Sequence, residues 1–271
     1  MTTNHGRAHN SGWRGLGESH IGRVRHSNQD AFAVLNEEAV WVVADGMGGR
    51  PGGDVASRLA IRAMTDTVTK TRPRDGLPER RECLRAALIA ANQVIHEEAG
   101  RKPELAGMGT TVVAVTIATA PRPVAVIGHV GDSRAYCYRQ GALIQLTRDH
   151  SFLEDAVAEG LMSLAEASAH PLRHVLTRAL GTEPHVEPDI VTHVLEPRDL
   201  LLLCTDGLTK MLSDEVIATV VAGSPASLPS LCSRLIEEAN HRGGEDNVTV
   251  IVVRNDLTKA SQDVSFPSAS P

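Results

Sequence analysis

Val40-Trp41-Val42-Val43-Ala44-Asp45-Gly46-Met47-Gly48-Gly49 reads as a short apolar strand that stops at an acid and a glycine-rich turn. The strand holds the Asp45 carboxylate at a rigid end. Gly46, Gly48 and Gly49 let the backbone turn sharply and bring carbonyl oxygens near whatever that carboxylate binds. Oxygen ligands so arranged suit a hard divalent cation. Taken alone, Asp-Gly is also a common turn former, and both readings stand at this point.

Three further acids have the same placement. Asp132 follows the apolar run Val124–Val130 and Gly131, Asp206 follows Leu200–Thr205, and Asp246 precedes Asn247 and the run Val248–Val253. If the four strands are neighbours in one core, their acids converge at one edge, where like charges repel unless cations neutralise them. The spacing therefore predicts a metal centre.

The chain has 271 residues, 42% of them hydrophobic, and a net charge of -6 spread along its length. One domain with a sizeable core is expected, and neither nucleic acid nor an anionic membrane surface as the main partner. Arg72, Arg74, Arg80, Arg81 and Arg85 read as a solvated loop and helix face. Cys83, Cys137, Cys204 and Cys232 form no Cys-x-x-Cys pair and read as buried thiols. Residues 1–11 carry no apolar signal core and no run reaches membrane-span length, so a cytoplasmic location is expected.

Between these acids the periodicity alternates in blocks. Asp54–Met64 predicts an amphipathic helix with Val55, Leu59, Ala63 and Val68 (or Met64) in its stripe, and Leu84, Ala87, Leu88, Ala91, Val94 and Ile95 predict a second, ending by Gly100. Strands follow at 110–117, 124–130 and 134–139, with Gln140-Gly141 as a hairpin turn. Residues 147–181 break the series with short helices, one opened by Ser163 with Glu166 three residues on and interrupted by Pro171. This insertion reads equally as a lid near the acids or as a cover for a sheet edge. Strands resume at 190–195 and 200–204, then helices at 214–221 (capped by Ser213) and 228–240. The order is α+β, with antiparallel sheet packed on sheet and helices on the outer faces. The boundaries expected are a flexible start at 1–11, a domain at 12–255 and a disordered tail at 256–271. Met47, Met64 and Met108 read as packing residues. Arg25, near the acids, suits an incoming anion whose oxygens match its planar fork.

The set Gly22-Arg23-Val24-Arg25 with Asn28-Gln29-Asp30, Asp45-Gly46-Met47-Gly48-Gly49, Gly109-Thr110-Thr111, Gly131-Asp132-Ser133-Arg134-Ala135, Asp206-Gly207-Leu208 and Gly244-Glu245-Asp246-Asn247 resembles the metal-dependent Ser/Thr protein phosphatase family, protein phosphatase 2C, in its bacterial form. Leu146–Ser151, His170-Pro171 and Val175–Gly181 resemble that branch's flap, and the match runs from about Gly12 to Arg254. The resemblance implies a four-layer α-β-β-α fold, a central antiparallel β-sandwich flanked by helices with a helical flap insertion. It implies two to three Mn²⁺ or Mg²⁺ ions. By motif position, Asp45 bridges two ions, the Gly46 carbonyl binds one of them, Asp206 and Asp246 complete the pair, and Asp132 with Asp206 holds a third. Asp30 acts through a metal-bound water and Arg25 grips the phosphate. The implied reaction is attack by a metal-activated water on phosphoserine or phosphothreonine in proteins, countering a Ser/Thr kinase in signalling. The expected partners are phosphorylated proteins, among them the kinase or its substrates, and a monomer is the expected form. The cysteines show no Cys-x5-Arg cradle for a nucleophile. The alternative is a weakly catalytic, phosphoprotein-binding regulator.

Two residues depart from the animal members of that family. Met47 stands where those members carry a histidine proposed as proton donor, leaving water, His26, His170 or His174 for that task. Gln29 replaces a glutamate ligand, and a neutral amide binds a cation less strongly.

Overall fold

The computed structural model describes residues 12–47, 52–163, 166, 170, 172, 175–223 and 227–255. Gly48, Gly49, Pro171, His174, the start at 1–11 and the tail at 256–271 lie outside the described residues. Among the described residues, ten strands form two five-stranded sheets in which every pairing is antiparallel. The first holds β1 (Trp13–His20), β10 (Val248–Asn255), β9 (Leu200–Cys204), β6 (Arg134–Arg139) and β7 (Ala142–Gln145) in that order. The second holds β2 (Asp30–Leu35), β3 (Val40–Gly46), β4 (Thr110–Ala118), β5 (Val124–Val130) and β8 (Asp189–Val194).

Alternation along the strands builds the layers. Trp41, Val43, Val113, Val115 and Ile127 of the second sheet meet Trp13, Cys137, Leu201, Leu203, Ile251 and Val253 of the first in the sandwich core. The intervening residues Val40, Val42, Ala44, Val112 and Ala114 face the helices α1 (Gly53–Thr71) and α2 (Leu77–Arg101). Tyr136, Leu202, Val250 and Val252 face α5 (Asp214–Ala222) and α6 (Leu228–His241). Each central strand is covered on both sides, which is why it reads as a continuous apolar run rather than an alternating one. The four-layer expectation is met.

Three local expectations are corrected. Arg80 is not solvated: it is 1% exposed, and its Nη1 donates to the Glu38 carbonyl at 2.6 Å and to Thr116 Oγ1 at 2.9 Å. A long stem with a charged head can be buried where fixed oxygens receive its protons. The fully buried stripe of α1 is Ala56, Ala60, Met64 and Val68, with Val55, Leu59 and Ala63 only flanking it, because small alanines let the helix approach the sheet closely. On α2, Val94 is exposed while Asn92 is buried, holding the Gly181 amide and the Glu183 carbonyl.

The smaller signals fare as follows. Gln140 and Gly141 both have positive φ and join β6 to β7, as a two-residue hairpin requires. Ser163 and Glu166 exchange reciprocal hydrogen bonds as a capping box. Ser213 sits at the start of α5 without a side-chain cap to its backbone. All four cysteines are buried and free. Met64 and Met108 are fully buried, and no described helix is long and apolar enough to cross a membrane.

Trp41 fixes the spacing at one edge of the sandwich. Its Nε1 donates to Asn36 Oδ1 at 3.0 Å, and that oxygen also receives the Gly15 amide at 2.8 Å. A Cβ on Gly15 would stand 2.1 Å from Trp41 Nε1. Gly15 pairs with Val253 inside an eight-residue register and cannot slide away. Gly15→Ala is expected to lower the urea-unfolding free energy by about 1–3 kcal/mol, the usual cost of overpacking, while far-UV circular dichroism stays unchanged.

Candidate active site

The strand directions bring the acids to one end of the sandwich. Asp45 lies near the C-terminal end of β3, and Asp132 follows β5, which runs parallel to β3 on the far side of β4. Asp30 opens β2 and is the register partner of Asp45. In the facing sheet, Asp206 follows β9 as the first residue of the short helix α4 (Asp206–Thr209), and Asp246 stands two residues before the antiparallel neighbour β10. Five carboxylates from both sheets therefore share one edge.

A cleft of about 390 Å³ opens there, lined by Asp45, Asp132, Asp206 and Asp246 together with Arg25, Gln29, Gly46, Met47, Thr111, Lys210, Asn247 and the segment Val175–Leu176. Asp30 lies beneath it: its Oδ2 accepts the hydroxyls of Thr205 at 2.9 Å and Thr249 at 2.7 Å, while its Oδ1 is buried without a partner. Asp206 Oδ1 is likewise buried and unpartnered. Gly46 is required by space, since a Cβ there would stand 2.1 Å from the Gly53 carbonyl oxygen.

Charge crowding shows in the proton affinities. Burial, followed by repulsion from Asp30, Asp206, Asp132 and Asp246, pushes Asp45 well above the usual carboxylate range. Burial outweighs the two threonine hydroxyls at Asp30 and, with Asp206 and Asp246, pushes it up to about 7. Asp132 also rises to about 7, through burial and then Asp206 and Asp149, with Lys210 opposing. At Asp246 burial works upward, but Lys210, the Asn247 amide and Arg25 prevail and its pKa is lowered.

Two side-chain cations answer these charges. Arg25 Nη2 is 2.9 Å from Asp246 Oδ2. Lys210 Nζ reaches Asp206 Oδ2 at 2.5 Å and Asp246 Oδ2 at 3.1 Å, and this pairing outweighs burial to raise its own pKa. The sequence drew no attention to Lys210; the signal available was its place four residues after Asp206, one helical turn on. Asn247, beside Asp246, carries no signal of its own in the sequence. Its Nδ2 donates to the carbonyls of Ile21 and Ser27 and its Oδ1 accepts the Gln29 amide at 2.8 Å, which ties the Arg25 loop to Asp246. No histidine is among the described residues lining the cleft: His26 is exposed, and His170 Nδ1 accepts the Leu172 amide.

Buried, mutually repelling carboxylates with unpartnered oxygens fit a hard divalent cation, which would reverse the repulsion that raises their pKa values. The carboxylates offer oxygen donors, and among the described residues no cysteine or histidine lines the cleft.

Comparison with known proteins agrees. The family model described as protein phosphatase 2C matches residues 16–239. The serine/threonine phosphatase stp of Listeria monocytogenes is 38% identical over 247 residues, covering 90% of this chain and 96% of that protein. The solved serine/threonine phosphatase of S. agalactiae superposes with a TM-score of 0.82 at 36% identity, over 89% of this chain and 99% of that one. The catalytic domain of the serine/threonine phosphatase PstP, in complex with two manganese ions, gives a TM-score of 0.77 at 35% identity, over 89% and 97% of the chains.

The raised carboxylate at Asp132 has a measurable sign. A folded pKa of about 7 against an ordinary 3.8 means the folded chain holds its proton longer than the unfolded one, so this group destabilises the metal-free fold increasingly as pH rises between those values. Asp132→Asn, which mimics the protonated acid, is therefore expected to leave the melting temperature in chelator unchanged at pH 4. At pH 8 it should raise it by about 3 °C or more, as read by scanning calorimetry.

Proposed function

Since the chain belongs to the protein phosphatase 2C family and is a serine/threonine protein phosphatase, we propose that its aspartate-lined cleft binds Mn²⁺ or Mg²⁺ and hydrolyses phosphoserine and phosphothreonine on proteins. The observation that carries this reading is the convergence of Asp45, Asp132, Asp206 and Asp246 on one cleft, with Asp206 Oδ1 buried and unpartnered. In this assignment Asp45 and the Gly46 carbonyl, with Asp206 and Asp246, hold the ions, and Asp132 with Asp206 offers a further position. When bound, such ions act as Lewis acids that make water nucleophilic at neutral pH and offset charge on phosphoryl oxygens.

The remaining steps belong to the chain's own groups. Arg25 stands at the cleft mouth, its side chain 39% exposed, and turns its fork from Asp246 to the incoming phosphate. Asp30, locked by Thr205 and Thr249, keeps one buried oxygen without a partner, free to orient a water and take up its proton. Met47 cannot donate a proton and no histidine is among the described lining residues, so water is the donor we assign to the leaving alkoxide, His174 lying outside the described residues. A monomer is the working form we propose, with residues 12–255 as the catalytic domain and 147–181 as its flap. The biological role that follows is reversal of Ser/Thr kinase action in the cytoplasm.

Asp206→Asn, or a chelator added to the wild type, is expected to abolish Mn²⁺-dependent release of phosphate from a phosphothreonine peptide while circular dichroism shows the fold retained. Full turnover in metal-free buffer would refute the reading. Lys210 competes for the same carboxylate oxygens that the ions need. Lys210→Met should therefore bind Mn²⁺ roughly tenfold more tightly, about 1.4 kcal/mol, in titration calorimetry, with Lys210→Arg close to wild type.

A further inference from the structure

The chemistry above leaves His150 without a task, although it is 2% exposed and beside the acids. Its ring Nδ1 accepts the Gly131 N–H at 3.2 Å, and its own amide donates to the Gly131 carbonyl at 3.0 Å. Gly131 precedes Asp132, has φ +103°, and would place any Cβ 2.6 Å from Thr111. The turn that aims Asp132 is thus clasped between Thr111 and His150. On the opposite side the His150 carbonyl accepts the Thr177 amide at 2.9 Å, and Ser151 bridges to Leu176, which with Val175 walls the cleft. His150 Nε2 stands 3.3 Å from Asp189 Oδ2 without a formed hydrogen bond, and Asp189 Oδ1 accepts from Arg178 Nη1 at 2.9 Å.

His129, His150 and Asp189 present ligand atoms within 4.8 Å of one another, which invites a second metal site. The hydrogen bond at Gly131 argues otherwise. With Nδ1 used as an acceptor, a neutral ring carries its proton on Nε2, the atom a metal would need. Burial and the neighbouring His150 hold His129 down at about 4, and burial followed by Arg178 lowers His150, so both rings stay neutral, 4.6 Å apart. The trio packs between the flap and the Asp132 turn, and the Gly131–His150 hydrogen bond ties it to that turn.

We propose that His150 is a positioning residue that couples flap residues 175–178 to the turn carrying Asp132, keeping the acid and the cleft wall in mutual register. The inference rests on the metal-dependent reading above.

The test compares the full-length wild type with His150→Ala, His150→Asn and Asp189→Asn. It measures Mn²⁺ affinity by calorimetry, KM and kcat on a phosphothreonine peptide and on p-nitrophenyl phosphate, and amide exchange at Gly131 and Thr177. His150→Ala should weaken Mn²⁺ binding about tenfold, the low end for an outer partner of a ligand. It should also speed exchange at Gly131 and raise KM more for the peptide than for the small ester. Asn offers its Oδ1 where Nδ1 stood, so His150→Asn should restore Gly131 protection and bring Mn²⁺ affinity to within about threefold of wild type. Asp189→Asn should raise the peptide KM and leave Mn²⁺ affinity unchanged. A folded His150→Ala with wild-type Mn²⁺ affinity and KM overturns the proposal. If His150→Ala does not fold, the Asn variant decides: Gly131 protected with Mn²⁺ affinity kept supports it, and Gly131 protected with affinity lost overturns it. A wild type that neither binds Mn²⁺ nor releases phosphate sinks the metal reading instead, and exchange at Gly131 and Thr177 then decides the coupling alone.

Discussion

Mutual repulsion among Asp30, Asp45, Asp132, Asp206 and Asp246 is the constraint around which the molecule is arranged. Unconstrained side chains would separate by several ångström and titrate near their ordinary values. Here β3 and β5 deliver two of them from one sheet, β9 and β10 deliver two from the other, and neither sheet can yield, because Trp41, Val113, Leu203 and Ile251 interlock between the two. A sandwich whose central strands are buried on both faces is stiff enough to hold charges where they do not wish to be. The strain appears as raised proton affinity at Asp30, Asp45 and Asp132 and as oxygens left without partners. Cation binding relieves both, so the feature that costs stability is also the one that confers affinity.

Most of this architecture was legible in the amino-acid order, for a physical reason. A strand covered on both sides must be apolar throughout, so Val40–Ala44, Val248–Val253 and Leu200–Cys204 announce themselves, and an acid at the end of such a run is conspicuous. Residues whose role depends on what lies across space carry no such signal. Arg80 looks like its neighbours Arg81 and Arg85 until the Glu38 carbonyl and Thr116 hydroxyl close over it. Lys210 looks like a helix-end lysine, and only the meeting of β9 with β10 places Asp246 within its reach. Asn92 falls on the buried side of α2 because the Gly181 amide needs an acceptor, a demand made 89 positions away.

Gln29 and Lys210 act on the charge of the cleft in the same direction. Gln29 lines the cleft where a glutamate would add a further negative charge, and Lys210 inserts a positive one between Asp206 and Asp246. Five carboxylates then face two side-chain cations, Arg25 and Lys210. A cluster whose charge has been trimmed by the protein itself needs fewer divalent ions to reach neutrality. It also holds each of them less firmly, since a tethered ammonium competes for the same oxygens. The two cations are mounted differently: Arg25 is on a loop at the mouth, whereas Lys210 is pinned at the end of α4 by the backbone bond from its amide to the Asp206 carbonyl. These mountings, like their side-chain chemistry, suit Arg25 to the anion-binding role proposed for it and Lys210 to setting the charge of the acid cluster.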